Sequence, residues 1–346
     1  MIARLLRWLG LGADTPQATR KDRSASVAVV ASEELVGLRP GLSEQTITGI
    51  DQAYLRSLFS PAALRHERPA EKEQDWLRAQ RDMLARDPAS LQALVPRLPS
   101  IMPRLMSAVN NPESTNARQL AGMIESDPVI AATVLRVVNS PAMRVRREDI
   151  DSLEQAIMVL GFAGMREAIA AAVVSPIARF DRDARLNARG IQQLWPVSLH
   201  AAVCAREGCR RIAPDRTFDA YMAALVHASG LIALLRSLKT LDAGKLSTTL
   251  LADIDLLARH YALAIARAWG LSAVTLTILE DWAEVQLHTP EQIMFRDLLV
   301  FVRANALYTI GQIDKARLRG LWRQLPDYAE CWFEECAGRQ GGAEDR

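Results

Sequence analysis

The stretch DPVIAATVLRVVNSP, residues 127–141, opens with a helix start signal and closes with a stop. Asp127 followed by Pro128 supplies a side-chain cap and a pre-set φ at the first helical position. Val129, Ala132, Thr133, Leu135, Arg136 and Val137 then form a helix, which Ser140-Pro141 ends because Pro cannot continue it. NARQLAGMIES (116–126) before it reads as another short helix. RVRREDIDS (144–152) after it reads as a polar loop. Ser152 opens a third helix, SLEQAIMVLG, with Gln155 at capping-box spacing. Gly161 can end that helix in the left-handed conformation. FAGMREAIAAAVVSPIARF (162–180) follows at once, giving a series of short antiparallel helices with loops of a few residues.

From Gly190 the helical segments lengthen: 191–213, 217–238, 249–270, 273–285 and 290–311, then two final helices holding Trp322 and Trp332. YMAALVHASG (221–230) lies in the second of these. Taken alone it is an apolar helix that runs into His227 and ends at Gly230. Toward the N-terminus, helices are expected near 44–59, with Ser43 as N-cap, near 70–86, and briefly after Asp87-Pro88. SVAVVAS (26–32) is the one β-like run, and DTPQATRKDRSAS (14–26) reads as a flexible linker. There is no repeat of fixed period and no low-complexity tract. The fold expected is all-α.

The 346 residues are 49% hydrophobic and 24% charged, ordinary for a globular chain. Lys plus Arg number 42 against 40 Asp plus Glu, a net charge of +2, which gives no electrostatic footprint for nucleic acid. No run of eighteen apolar residues occurs, so no membrane span is expected. MIARLLRWLGLG (1–12) is too short and too interrupted by Arg4 and Arg7 for a secretory signal. Cys204, Cys209, Cys331 and Cys336 form two C-x4-C pairs, which is not zinc-knuckle spacing. They read as reduced, mostly buried thiols in a cytoplasmic protein. No G-x-S-x-G, P-loop, H-E-x-x-H or G-x-G-x-x-G motif occurs.

Several stretches in series resemble the HDOD domains (HD-related output domains) of bacterial signalling proteins. They are LPSIMPRLMSAVNNPESTNARQLAGMIESDPVIAATVLRVVNSP (98–141), SLEQAIMVLGFAGMREAIAAA (152–172), LWPVSLHAAVCA (194–205), AALVHASG (223–230) and HYALAIARAWGLS (260–272), with LLVFVRANAL (298–307) beyond. The resemblance implies a multi-helix HD-like bundle over 96–285, divided into a short-helix part (96–189) and an HD-like part (190–285). Helices at 286–337 complete the latter, 338–346 is a disordered tail, and 1–95 has no assigned role. Asp127, Pro128, Asn139, Ser140, Gly161 and Trp195 belong to the family pattern. Asn139 and Ser140 are expected to cap and fix the turn at their helix end.

HD phosphohydrolases, which the family resembles, hold divalent metals with a pattern H…HD…D, and the metal activates a water against a phosphoester. Carried over position by position, the first His falls at Val197, the HD pair at His227 and Ala228, and the last Asp at Asn305. Val and Ala offer no lone pair, and Asn is a poor ligand for a hard cation. His200, Asp255, His260, Asp281 and His288 are the residues that might come near, but displaced ligands rarely converge on one metal. No metal and no cofactor are therefore expected, and His227 is expected to be a neutral imidazole hydrogen-bonded to a carbonyl.

If catalysis is gone, function lies in surfaces. Arg144, Arg146 and Arg147 cluster in one loop and could take an acidic partner or a phosphate, although Glu148, Asp149 and Asp151 beside them favour a solvated loop. Residues 1–12 could form an amphipathic helix touching a membrane or a partner, with packing on its own protein preferred. Trp195 and Trp269 read as core, whereas Trp322 and Trp332 could anchor another protein. The leading expectation is a non-catalytic signal-transduction module that docks other signalling proteins. The alternatives are a residual metal-dependent phosphohydrolase on a nucleotide and a nucleotide-binding sensor without turnover.

Overall fold

The computed structural model describes residues 42–65, 70–85, 105, 108, 115–175, 183–241, 243–284 and 290–333. The expectations for 1–12, 14–26, 26–32, Asp87-Pro88 and 338–346 lie outside the described residues. The fold is all-α. Helices α1 (Glu44–Ser57) and α2 (Glu71–Ala85) come first. They are followed by α3 (Ala117–Glu125), α4 (Pro128–Val138) and α5 (Leu153–Val174). The long helices are α6 (Ala188–Ile212), α7 (Thr217–Ser237), α8 (Leu250–Ala268), α9 (Ala273–Glu284) and α10 (Pro290–Thr309), and α11 (Lys315–Trp322) and α12 (Glu330–Phe333) close the chain.

The caps explain the boundaries. Ser43 Oγ accepts from Thr46 N, and Asp127 Oδ1 accepts from Val129 N and Ile130 N at 3.0 and 3.2 Å. At α3, Asn116 and Gln119 make both bonds of a capping box, a device the sequence reading did not single out. At α5 only half a box forms. Ser152 Oγ accepts from Gln155 N, but Gln155 Oε1 turns to Asp151 N instead of Ser152 N.

Two glycines behave differently from expectation. Gly161 does end the helical segment before it with a positive φ of 69°, as expected, but its ψ of −179° lies outside the left-handed helical well, and the chain kinks there into the next segment. Gly230 does not end its helix. A Cβ there would stand 1.9 Å from Ala258 O and 2.5 Å from Ala262 N, so Gly230 is where the backbones of α7 and α8 touch. Tight approach, rather than termination, is its role.

Helix α7 is the central element, packed between α6 and α8, with α9, α10 and α5 around it. Together with its flanking turns it is apolar and long enough to cross a bilayer, as is α5, yet 89% of the apolar window of Pro214–Thr240 is buried inside the bundle. An apolar surface all round a helix is what the core of a large bundle requires. Trp269, Trp282 and Trp332 are buried and Trp195 and Trp322 half-buried. Trp332 is therefore not an exposed anchor: its Nε1 donates to Cys204 O at 2.9 Å and its ring packs on Phe301 and Tyr328. Trp322 Nε1 donates to Ala329 O.

The N-terminal helices, which the sequence left without a role, pack onto the long-helix part: α1 against α10 and α8, α2 against α8. Fully buried Glu73 ties them in. It pairs with Arg65 at 2.9 Å and accepts from Ala70 N and Ser247 N, both at 2.8 Å. A two-residue parallel pair, β1 (Leu64–Arg65) with β2 (Leu246–Ser247), runs alongside. Such short strands carry no periodic signal in sequence.

Candidate functional site

His227 is buried on α7. Its Nδ1 pairs with Ala224 O one turn back, so Nδ1 carries the proton and the Nε2 lone pair remains. The ring meets the edges or faces of Trp282 (centroids 6.0 Å, 75°) and Phe295 (6.5 Å, 88°). Burial in this aromatic setting pushes its pKa down to about 4. The Ala224 carbonyl and Asp255 oppose that shift, and the Arg303 guanidinium adds to it. His227 is thus neutral at pH 7.

Beyond His227 lies a network of charges from three helices. Arg303, on α10, places Nη1 2.7 Å from Asp51 Oδ1 on α1 and Nη2 3.3 Å from Asp255 Oδ1 on α8. Arg259 grips Asp255 Oδ2 with Nε and Nη2, at 3.1 and 2.7 Å, and lies over the Trp282 ring. Arg303 also stands 5.4 Å from the Tyr54 ring centre. Although the Arg303–Asp51 distance is that of an ion pair, its angle leaves Asp51 Oδ1 without a hydrogen bond, and Arg303 Nε has no acceptor. Burial accordingly pushes the Asp51 carboxyl up. Asp255, held by both arginines, stays low. Arg303 is held firmly cationic by its two carboxylates.

The HD-like positions do not form a donor cluster. Val197, Ala228 and Asn305 are buried like His227; from α10 the Phe295 ring meets His227, and the Arg303 charge acts on it electrostatically. Asn305 sits two positions past Arg303, roughly 200° around the helix. It lies one turn beyond Phe301, which faces Trp332, and its Oδ1 has no hydrogen-bond partner. Asp255 is committed to two guanidiniums, His200 is buried on α6 and His260 is half-buried. The Asp281 side chain and His288 lie outside the described residues. Among the described residues no three His, Cys, Asp or Glu side chains gather in a metal-binding group. The residues around His227 do not fit a divalent metal: Ala228 beside it ends in a methyl, and Asp255, the carboxylate whose charge acts on it, is bound by Arg259 and Arg303.

In the short-helix part, Asn139 Nδ2 donates to Ile150 O at 2.9 Å and Asn139 Oδ1 accepts from Ile150 N at 2.8 Å, while Ser140 Oγ donates to Val137 O. Asn139 thus closes the loop 140–149 as a backbone residue in a ladder would. In that loop Arg144 pairs with Asp149 and donates to Arg147 O, and Arg146 and Arg147 are exposed. Cys204 and Cys209 are buried on α6; the Cys331 side chain and Cys336 are outside the described residues. Asp255 and Arg259 stand at i,i+4 spacing on α8, a signal the sequence offers, but nothing local links them to Asp51 on α1 or Arg303 on α10.

This bundle, with α7 at its centre, defines an HD-like all-α protein. The model of the HDOD domain family matches residues 95–280, and the chain belongs to that family. A protein from Shewanella amazonensis SB2B, provisionally assigned as a metal-dependent phosphohydrolase, shares the fold at TM-score 0.53 and 16% identity, over 78% of this chain and 99% of that one. An HDOD domain protein of unknown function from Geobacter sulfurreducens matches at TM-score 0.48 and 18% identity, over 77% and 89%. A provisionally assigned signal transduction protein from Marinobacter aquaeolei VT8 matches at 0.45 and 17%, over 84% and 66%. No curated protein matches the chain.

Proposed function

We propose that this HDOD protein is a non-catalytic signal-transduction module of the cytoplasm that acts by docking other signalling proteins. The observation that supports this reading most is the Arg303 guanidinium beside His227, bound to Asp51 and Asp255. A phosphohydrolase of the HD kind needs anionic donors converging on a cation there. Here Asp255, the carboxylate whose charge acts on His227, is bound by two arginines, and the residue after His227 is Ala228. Val197, His227, Ala228 and Asn305 then serve as packing positions of a degenerate site. The loop carrying exposed Arg146 and Arg147, braced by Asn139, is the proposed contact for an acidic partner.

Metal analysis of the purified protein, followed by a phosphodiesterase assay with added manganese, tests the reading. Neither stoichiometric metal nor turnover is expected. Tightly held metal together with activity that His227→Ala abolishes would overturn it.

A further inference from the structure

Helix α2 is held to the bundle by a mixed set of groups. Its buried side chains are Glu73, Trp76, Leu77 and Gln80, two polar and two apolar, with Met83 and Leu84 half-buried. Helix α1, by contrast, buries Ile47, Ile50, Tyr54 and Leu55. The two buried polar residues of α2 face the bundle directly. Glu73 Oε1 accepts from Ser247 N at 2.8 Å, and Gln80 Oε1 accepts from Tyr261 Oη at 2.9 Å. Between them Trp76 Nε1 donates to Ser237 O at 3.3 Å. At the edge Arg81 meets Asp253 at 3.3 Å, with the two side chains 55% and 36% exposed.

These ties differ in what their loss costs. Water replaces a hydrogen bond to an amide, a carbonyl or a hydroxyl at small net cost, and an exposed ion pair adds little. Glu73, once outside, regains the hydration that burial denied it. Trp76 and Leu77 therefore carry most of what binds α2, because the burial of an apolar face is what keeps a helix docked. A helix with few apolar anchors and several buried polar ties opens ahead of the core. The face it covers is suited to a helix. It offers a donor at Ser247 N, an acceptor at Ser237 O and a hydroxyl at Tyr261, with the seats of Trp76 and Leu77 among them.

We propose that α2 is a displaceable strap, and that the face beneath it takes a partner helix with the same four groups. These are a carboxylate, an aromatic ring, an aliphatic side chain and an amide at the i, i+3, i+4, i+7 spacing of Glu73, Trp76, Leu77 and Gln80. That spacing sets all four on one side of a helix, as helix-in-groove recognition requires. Strap and partner compete for one seat, so α2 in place excludes the partner. The partner helix deepens the docking function and rests on that reading. The opening of α2 stands on its packing alone.

Hydrogen exchange of the full chain tests the opening. Val203 is buried on α6, which packs on α7 and α10. Val203→Ala removes two buried carbons and should speed exchange of the α7 amides about tenfold. The α2 amides should be unaffected, because α2 opens without the core. Equal acceleration of both helices would overturn the strap. Fluorescence anisotropy with a labelled peptide of residues 70–85 tests the seat. The Trp76→Ala chain, its strap weakened, should bind this peptide at least about tenfold more tightly than the wild-type chain. Glu73→Gln in the peptide should cut that binding about tenfold, the loss of one charged hydrogen bond. Circular dichroism confirms folding, and Leu77→Ala replaces Trp76→Ala if the latter unfolds. No binding of submillimolar peptide to the folded variant, or binding indifferent to Glu73→Gln, would overturn the partner seat. The exchange result needs no partner, so failure of the docking function and failure of the strap are told apart.

Discussion

Arg303 on α10 and Asp51 on α1 stand 2.7 Å apart inside the protein, joining a helix that follows the residues matched by the family model to one that precedes them. The same guanidinium holds Asp255, which keeps Arg259 as a second partner, so removing it strands the Asp51 carboxylate in a low-dielectric interior. Arg303→Met is expected to cost about 3–5 kcal/mol of stability, and adding Asp51→Asn should recover part of it. Urea unfolding measures both; a loss under about 1 kcal/mol would mean that water already screens the network.

His227 should leave a pH signature. Its pKa in the folded chain, about 4, lies below the ordinary 6.5. The stability it contributes is complete above pH 6.5 and is lost as pH falls toward 4, when the unfolded chain takes up the proton first. The full difference is about 3 kcal/mol. Glu167 and Asp297, raised by burial, act in the opposite sense, so the comparison is with His227→Gln. The gap between wild type and variant should narrow from pH 7 to pH 4, and a constant gap would contradict the neutral, desolvated ring.

Gly230→Ala forces a methyl group into the backbone of α8. Neither helix can yield without disturbing the central packing, so a loss of 3 kcal/mol or more is expected, of the order that overpacking against a rigid neighbour gives (about 1–3, occasionally more). Gly122→Ala, with nothing near its Cβ, is the control. It lies inside α3 and should gain up to about 1 kcal/mol. Thermal denaturation of both resolves the contrast; equal effects would remove the close-approach role.

Asn139→Ala leaves the N–H and C=O of Ile150 unpaired, a cost of about 1–3 kcal/mol. Asn139→Asp keeps the acceptor but loses the donor and should fall between. Faster amide exchange at Ile150 in the alanine variant would confirm that the loss is local.

Helix positions were legible in the sequence because their signals are local. Ser43, Asp127 and Ser152 stand at true N-caps, and the apolar segments after Gly190 became α6 to α10 nearly to the residue. A cap bonds groups two or three residues away, so spacing alone predicts it. The carbonyl bond of His227 was equally legible, since it reaches one turn back along its own helix. The roles of Gly161 and Gly230 were not, since ψ at the first and the approach of α8 at the second are set by packing.

The sequence by itself determined the all-α class, the helix order and the membership of residues 95–280 in the HDOD family, because these follow from periodicity, capping and short-range motifs. Only the tertiary structure decided that α1 and α2 belong to the bundle, that α10 brings the Phe295 ring onto His227, and that four charged residues from three helices meet. Long-range pairing of single side chains depends on how helices rotate and cross, and that geometry emerges from the summed packing of the core rather than from any local pattern.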